Sequence, residues 1–139
     1  MAPQICLTGP DPKALAEWKK YSPRSLSLLW TPTTWSGTAD DLEDRFNAVR
    51  DAGFYGLDFL QVHVTVADDL TVKPGVDVLR RCATECRRHG IIFEVITWTN
   101  ADREASYYPL LDAGVASIAT DFPTITKQTL EKYYADDVK

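Results

Sequence analysis

The strongest constraint on this chain is a rhythm. Short apolar runs alternate with longer amphipathic stretches, and three of those stretches are closed by glycine: Gly53, Gly90 and Gly114. An apolar run too short for a helix, followed by a stretch with three-and-four spacing, spells a β-α unit. Ile5 to Thr8 is the first run, stopped by Gly9-Pro10. Asp11 is a good N-cap, Pro12 fits the first helical position, and Leu15 and Trp18 share one face of a helix ended by Ser22-Pro23. Leu26 to Trp30 reads as the second strand, and Thr31 to Thr38 as a loop broken by Pro32 and Gly37. Asp40 to Ala52 repeats Leu42, Phe46 and Val49 at helical spacing.

Gly56 to Val64 is expected as the third strand, then a loop from Thr65 to Pro74, then a helix from Gly75 to His89. Ile91 to Trp98 is nearly all apolar, which suits a strand covered on both faces in a parallel sheet. A helix over Asp102 to Ala113, a strand over Val115 to Thr120 and a last helix capped by Thr124 complete the pattern. Antiparallel hairpins would show Asn-Gly or Asp-Gly between strands, and none stands there. The expectation is an α/β fold built of five parallel β-α units.

Composition bounds the rest. With 45% hydrophobic and 25% charged residues among 139, the chain can bury one core, and residues 1–139 read as a single domain. A net charge of -5 removes the basic footprint that a non-specific nucleic-acid binder needs. No stretch approaches the ~20 apolar residues that span a bilayer. The opening Met-Ala-Pro-Gln shows no signal peptide, so a cytoplasmic location is the default expectation. Three cysteines cannot complete a disulfide framework. Cys82 and Cys86 lie one helical turn apart, with only His89 as a further ligand nearby, so packing on a helix face is favoured over a metal site.

The last third carries a resemblance. Ile92-Phe93-Glu94-Val95-Ile96-Thr97-Trp98-Thr99-Asn100, and then Gly114-Val115-Ala116-Ser117-Ile118-Ala119-Thr120-Asp121-Phe122-Pro123, resemble the C-terminal signature of glycerophosphodiester phosphodiesterases. In that family a strand ending in Trp-Thr, with Asn close behind, leads through a helix to Gly-Val-x-x-Ile-x-Thr-Asp-x-Pro. Ile5 to Trp30 and Leu57 to Val64 are similar more weakly. The resemblance implies a partial TIM (β/α)8 barrel, about five of eight units, corresponding roughly to the fourth through eighth strands. It also implies phosphodiester hydrolysis in glycerophosphodiester and lipid metabolism, with a divalent cation (Mg or Ca). The family's His-Arg-Gly, its Glu-x-Asp at a strand end and its second catalytic histidine are missing; the only histidines are His63 and His89. No catalytic residue and no metal ligand is therefore assigned, and the isolated chain is expected to be inactive.

Parallel barrels collect function at the C-terminal ends of their strands. The substrate-binding candidates are Trp98, Asn100, Gln61, His63 and Trp30. The resemblance implies that Trp98 and Asn100 form a site wall for the glycerol part of a substrate; filling the barrel mouth is the plainer role for Trp98. Gln61 and His63 share strand parity and are polar in an otherwise apolar setting, which fits ligand contact, or for His63 a bond to a backbone carbonyl. Trp30 fits core packing by default, and Trp35, Tyr107 and Tyr108 add aromatic surface near loops. Asp121 fits a turn or cap, and the pairs Arg80-Arg81 and Arg87-Arg88 fit a solvated helix face.

Five units cannot close an eight-strand barrel, and open edges invite association. Three resolutions follow: a piece of a longer enzyme, pairing with itself or with a chain carrying the early strands, or an open sheet with helices on both faces. The expected partner is a small glycerophosphodiester or polyol, with a homo-oligomer or an N-terminal barrel part completing the structure. The alternative function is a non-catalytic half-barrel that binds or assembles.

Overall fold

The computed structural model describes residues 5–31, 38–98 and 102–136. The elements run β1 (Cys6–Gly9), α1 (Pro12–Tyr21), β2 (Leu26–Thr31), α2 (Ala39–Asp51), β3 (Phe59–Val66), β4 (Val72–Lys73), α3 (Val76–Arg88), β5 (Ile92–Trp98), α4 (Glu104–Asp112), β6 (Ser117–Ala119) and α5 (Pro123–Asp136). The strand order is β1-β2-β3-β5-β6, every neighbouring pair parallel, with β4 attached antiparallel to β3. The five β-α units expected from the sequence are present in sequential order.

That order decides where the helices go. Each crossover steps to the next strand in the same direction, and such crossovers are right-handed. Helices placed by successive steps of one hand therefore share one face of the sheet. The strand pattern agrees. On β3, Leu60, Val62 and Val64 are 0%, 0% and 1% exposed, while the intervening Phe59, Gln61, His63 and Thr65 stay half-buried. The buried set joins Leu29, Phe93 and Val95 with helix residues such as Leu42, Phe46, Leu79 and Cys82 in one core. Fully burying each such side chain contributes about 1.5–3 kcal/mol. The continuous apolar reading of β5 therefore resolves into alternation: Phe93 and Val95 face the helices, while Ile92, Glu94 and Ile96 lie on the face that the described helices leave uncovered.

Local signals explain most of the boundaries. The Asp11 carboxylate accepts from the Lys13 amide at 2.9 Å, ahead of Pro12. Thr38 caps α2 through the Asp41 amide at 3.2 Å. In α3, Val78, Leu79, Cys82, Ala83 and Cys86 are buried, which places both cysteines in the core as their spacing suggests. The four arginines of α3 are exposed, and Arg81 pairs with Glu43 of α2 at 2.7 Å. At the start of β3, Asp58 accepts from the Ser27 amide at 2.8 Å and from Lys19 at 2.7 Å, tying α1 and β2 to β3. Burial pushes the Asp58 carboxyl up, but the Lys19 and Ser27 bonds outweigh it and hold the pKa below the ordinary value.

Three boundaries differ from the sequence reading. The strand expected from Gly56 begins at Phe59, and Gly53 to Gly56 is a 3-10 turn that holds Phe54 and Tyr55 at φ 55° and 50°. Phe54 is 2% exposed and meets Phe46 edge-on at 5.9 Å, so core packing sustains that conformation. The expected loop after Val64 instead continues β3 to Val66 and turns back as β4. The turn has no glycine: Asp69 accepts from the Thr71 amide at 2.9 Å, and Leu70 takes φ 68°. Helix α5 begins at Pro123, one residue ahead of the proposed Thr124 cap.

Candidate functional site

The uncovered face is layered by strand register. Leu28, Phe59 and Ile92 are cross-strand partners in one row. Trp30, Gln61, Glu94 and Ser117 form the next row. His63, Ile96 and Ala119 follow toward the C-terminal ends. Apolar, polar and mixed layers therefore succeed one another along the strands, a result of parity alone.

Three of the sequence candidates meet here. Trp30 pairs with Gln61 in register, and its ring stacks on His63 of the next row with centroids 6.0 Å apart. Burial lowers the His63 pKa below the ordinary imidazole value, which favours the neutral ring. Trp98 ends β5 and pairs with Thr65 through the backbone; its side chain, like Asn100 and Trp35, lies outside the described residues.

Two site residues had no role in the sequence reading. Glu94 accepts from Gln61 Nε2 at 2.6 Å and from Ser117 Oγ at 2.6 Å, so both of its oxygens are engaged along the polar row. The signal was available. Glu94 is a charge inside an apolar strand, and its parity is that of the rows already marked by Gln61 and His63.

A second polar cluster pins the C-terminal ends of β5 and β6. Asp102 Oδ1 accepts from Tyr107 at 2.5 Å, Thr97 at 2.9 Å and Thr120 at 3.0 Å. The Tyr107 hydroxyl also lies 2.9 Å from Thr126 Oγ1 of α5. Tyr107 is 0% exposed, so it is core rather than the loop-side aromatic surface expected of it. Burial, then the bond to Asp102, raises its pKa. The turn amide of Phe122 is bonded by Thr120 Oγ1 at 2.9 Å, so Thr120 fills the turn role assigned to Asp121. Beside this cluster, Arg103 donates to the Ala67 carbonyl at 3.0 Å and pairs with Asp68 at 3.3 Å, which fastens the β3-β4 turn to the head of α4.

A divalent cation does not fit these residues. Among the described residues no three His, Cys, Asp or Glu side chains converge as a ligand set. Glu94, the carboxylate of the polar row, is already satisfied by two neutral donors.

No protein-family model matches the chain. Two curated proteins of Loxosceles arizonica are similar to it. Dermonecrotic toxin LarSicTox-alphaIB1c is 32% identical over 96 residues, covering 67% of this chain and 33% of the toxin. Dermonecrotic toxin LarSicTox-alphaIB1aii is 33% identical over 96 residues with the same coverage. The match thus spans about a third of the length of these relatives. Among solved structures, a "Putative pilus assembly-related protein" from Burkholderia pseudomallei aligns over 95% of this chain and 89% of its own, at 15% identity and a TM-score of 0.41.

Proposed function

We propose that this chain is the later part of a phosphodiester-hydrolase barrel of the glycerophosphodiester phosphodiesterase type. It would form one domain over residues 1–139 and present the wall that holds the glycerol end of the substrate. The observation that carries the reading is where the signature falls in the fold. Trp98 closes β5 and Thr120 to Pro123 joins β6 to α5, both at C-terminal strand ends, while Gly114 at φ 89° turns the chain from α4 toward β6 at the opposite end. In a parallel barrel, ligands collect at the C-terminal strand ends. The similarity to the dermonecrotic toxins supports a phosphodiester-hydrolase-like superfamily at that coarser level.

In this reading Trp98 offers a flat apolar face to the glycerol carbons, and Asn100 bonds a hydroxyl. Trp30, His63 and Gln61 form the floor. The cation of the family (Mg or Ca) and its acid-base histidines come from β-α units that these residues do not include. That cation polarises the phosphoryl group when bound.

The test is hydrolysis of a glycerophosphodiester to glycerol 3-phosphate and an alcohol, with magnesium or calcium. It compares this chain alone with this chain joined to the early units of such a barrel. The expected result is activity only in the completed assembly, with Trp98→Ala weakening glycerol 3-phosphate binding about tenfold, a loss of about 1.4 kcal/mol. Unchanged affinity in Trp98→Ala overturns the wall assignment. Binding without hydrolysis in the completed assembly favours the non-catalytic half-barrel.

A further inference from the structure

We infer that Glu94 is a positioning residue that fixes the Gln61 amide and thereby makes the site selective for a ligand hydroxyl. This deepens the reading above, and it rests on the glycerol end of the ligand lying against this face. A side-chain amide has a donor end and an acceptor end, and in isolation either end can face a given neighbour. A carboxylate only accepts. Glu94 stands beside Gln61 in register, with Oε1 at 2.6 Å from the Gln61 nitrogen. The reversed amide would set the Gln61 carbonyl oxygen against that carboxylate oxygen, lone pair against lone pair. Ser117 holds the other Glu94 oxygen at 2.6 Å from the far side, so the carboxylate cannot swing away without losing that bond.

One N–H of the Gln61 amide is therefore committed to Glu94. The Gln61 backbone carbonyl accepts from Thr31, and its side-chain carbonyl oxygen accepts no hydrogen bond among the described residues. Trp30 is the next residue in the row. What Gln61 presents there is an acceptor beside an indole face. A ligand with a carbon-bound hydroxyl satisfies both groups, since its O–H bonds the carbonyl and its C–H atoms rest on the ring. A ligand whose polar group is itself only an acceptor, such as a bare phosphate oxygen, meets like polarity at the Gln61 side-chain carbonyl. The row thus selects the polyol end of a glycerophosphate over its phosphate end. It also discriminates against an analogue without hydroxyls, which leaves that acceptor unpaired by the ligand.

Two measurements test this on the full chain. The first needs no ligand. In 15N-resolved NMR, the two protons of the Gln61 side-chain amide should be well separated, with one displaced downfield and slow to exchange. Glu94→Gln, which keeps the shape, should collapse that separation. Amide resonances unchanged in Glu94→Gln overturn the proposal whatever binds. The second compares glycerol 3-phosphate with propyl phosphate, which keeps the phosphate and loses the hydroxyls. The wild-type chain should prefer glycerol 3-phosphate about tenfold, and Glu94→Gln should reduce that preference to about twofold, because the freed amide offers either end. A preference unchanged by Glu94→Gln overturns the selectivity, as does no preference in the wild type despite an ordered amide. Neither result bears on hydrolysis by the completed assembly, so the phosphodiesterase reading stands or falls separately.

Discussion

The indole of Trp30 lies nearly parallel to the imidazole of His63, with centroids 6.0 Å apart and planes 12° from parallel. Neighbouring strands set the pair side by side, and parity turns both rings to the same face. The indole removes water from one side of the imidazole, and burial is what lowers the His63 pKa.

A pH dependence follows, with a definite sign. The folded pKa is depressed, so as pH falls the unfolded chain takes up the proton first. The His63 contribution to stability is complete above the ordinary imidazole value and is lost as pH falls from there through the folded pKa. Thermal melts between pH 8 and pH 5 should show this loss, and His63→Gln should flatten it. In an NMR titration, Trp30→Ala should raise the His63 pKa toward the ordinary value. A titration that does not move would show that the indole is not what shields the ring.

The Tyr107 hydroxyl is buried against Asp102, Thr120 and Thr126. Tyr107→Phe keeps the ring and removes the hydroxyl, leaving the threonines and the carboxylate one partner short. The expected cost is about 1–3 kcal/mol in urea unfolding, the usual penalty for buried polar groups left unpaired. A loss below about 0.5 kcal/mol, typical of a surface change, would show that the cluster contributes little to holding β5 against β6.

The thiols should separate by reactivity. Cys82 and Cys86 are 1% and 0% exposed, and burial pushes both pKa values up to about 12. Cys6 is exposed at the β1 edge, with its pKa raised by partial burial and then by Asp58 and Glu94. A disulfide reagent should titrate one thiol in the native chain, faster as pH rises, and all three in urea. Rapid native reaction of a second thiol would mean that α3 leaves the sheet readily.

The uncovered face should show itself in solution mass. Parallel sheets are stable with both faces covered. Here the row of Leu28, Phe59 and Ile92 lies on a face that no described helix covers, and Ile92 is 39% exposed. Light scattering of the purified chain should report a mass above the 15.6 kDa monomer, and Leu28→Lys should lower it. A wild-type monomer would mean that this face is satisfied without a second chain.

The sequence by itself determined the elements and their direction. Asp11-Pro12, the Leu42-Phe46-Val49 spacing and the glycines at 53, 90 and 114 are local signals, because caps and periodicity act within a few residues. Short connections through helices then force parallel strands. Gln61 and His63 were legible as a pair because parity within one strand puts them on one face, whereas Trp30, expected in the core, joins them through the register of β2 and β3. Tertiary structure decided what depends on a neighbour. Glu94 could not be paired with Gln61 and Ser117 until the register of β3, β5 and β6 was set. The positive φ of Phe54 has no local advantage and exists because its ring fills a place beside Phe46. Tyr107 looked like surface in the sequence, because its partners Thr120 and Thr126 lie 13 and 19 residues away. Burial and hydrogen bonding across such separations are properties of the packed sheet and its helices, and no window of sequence contains them.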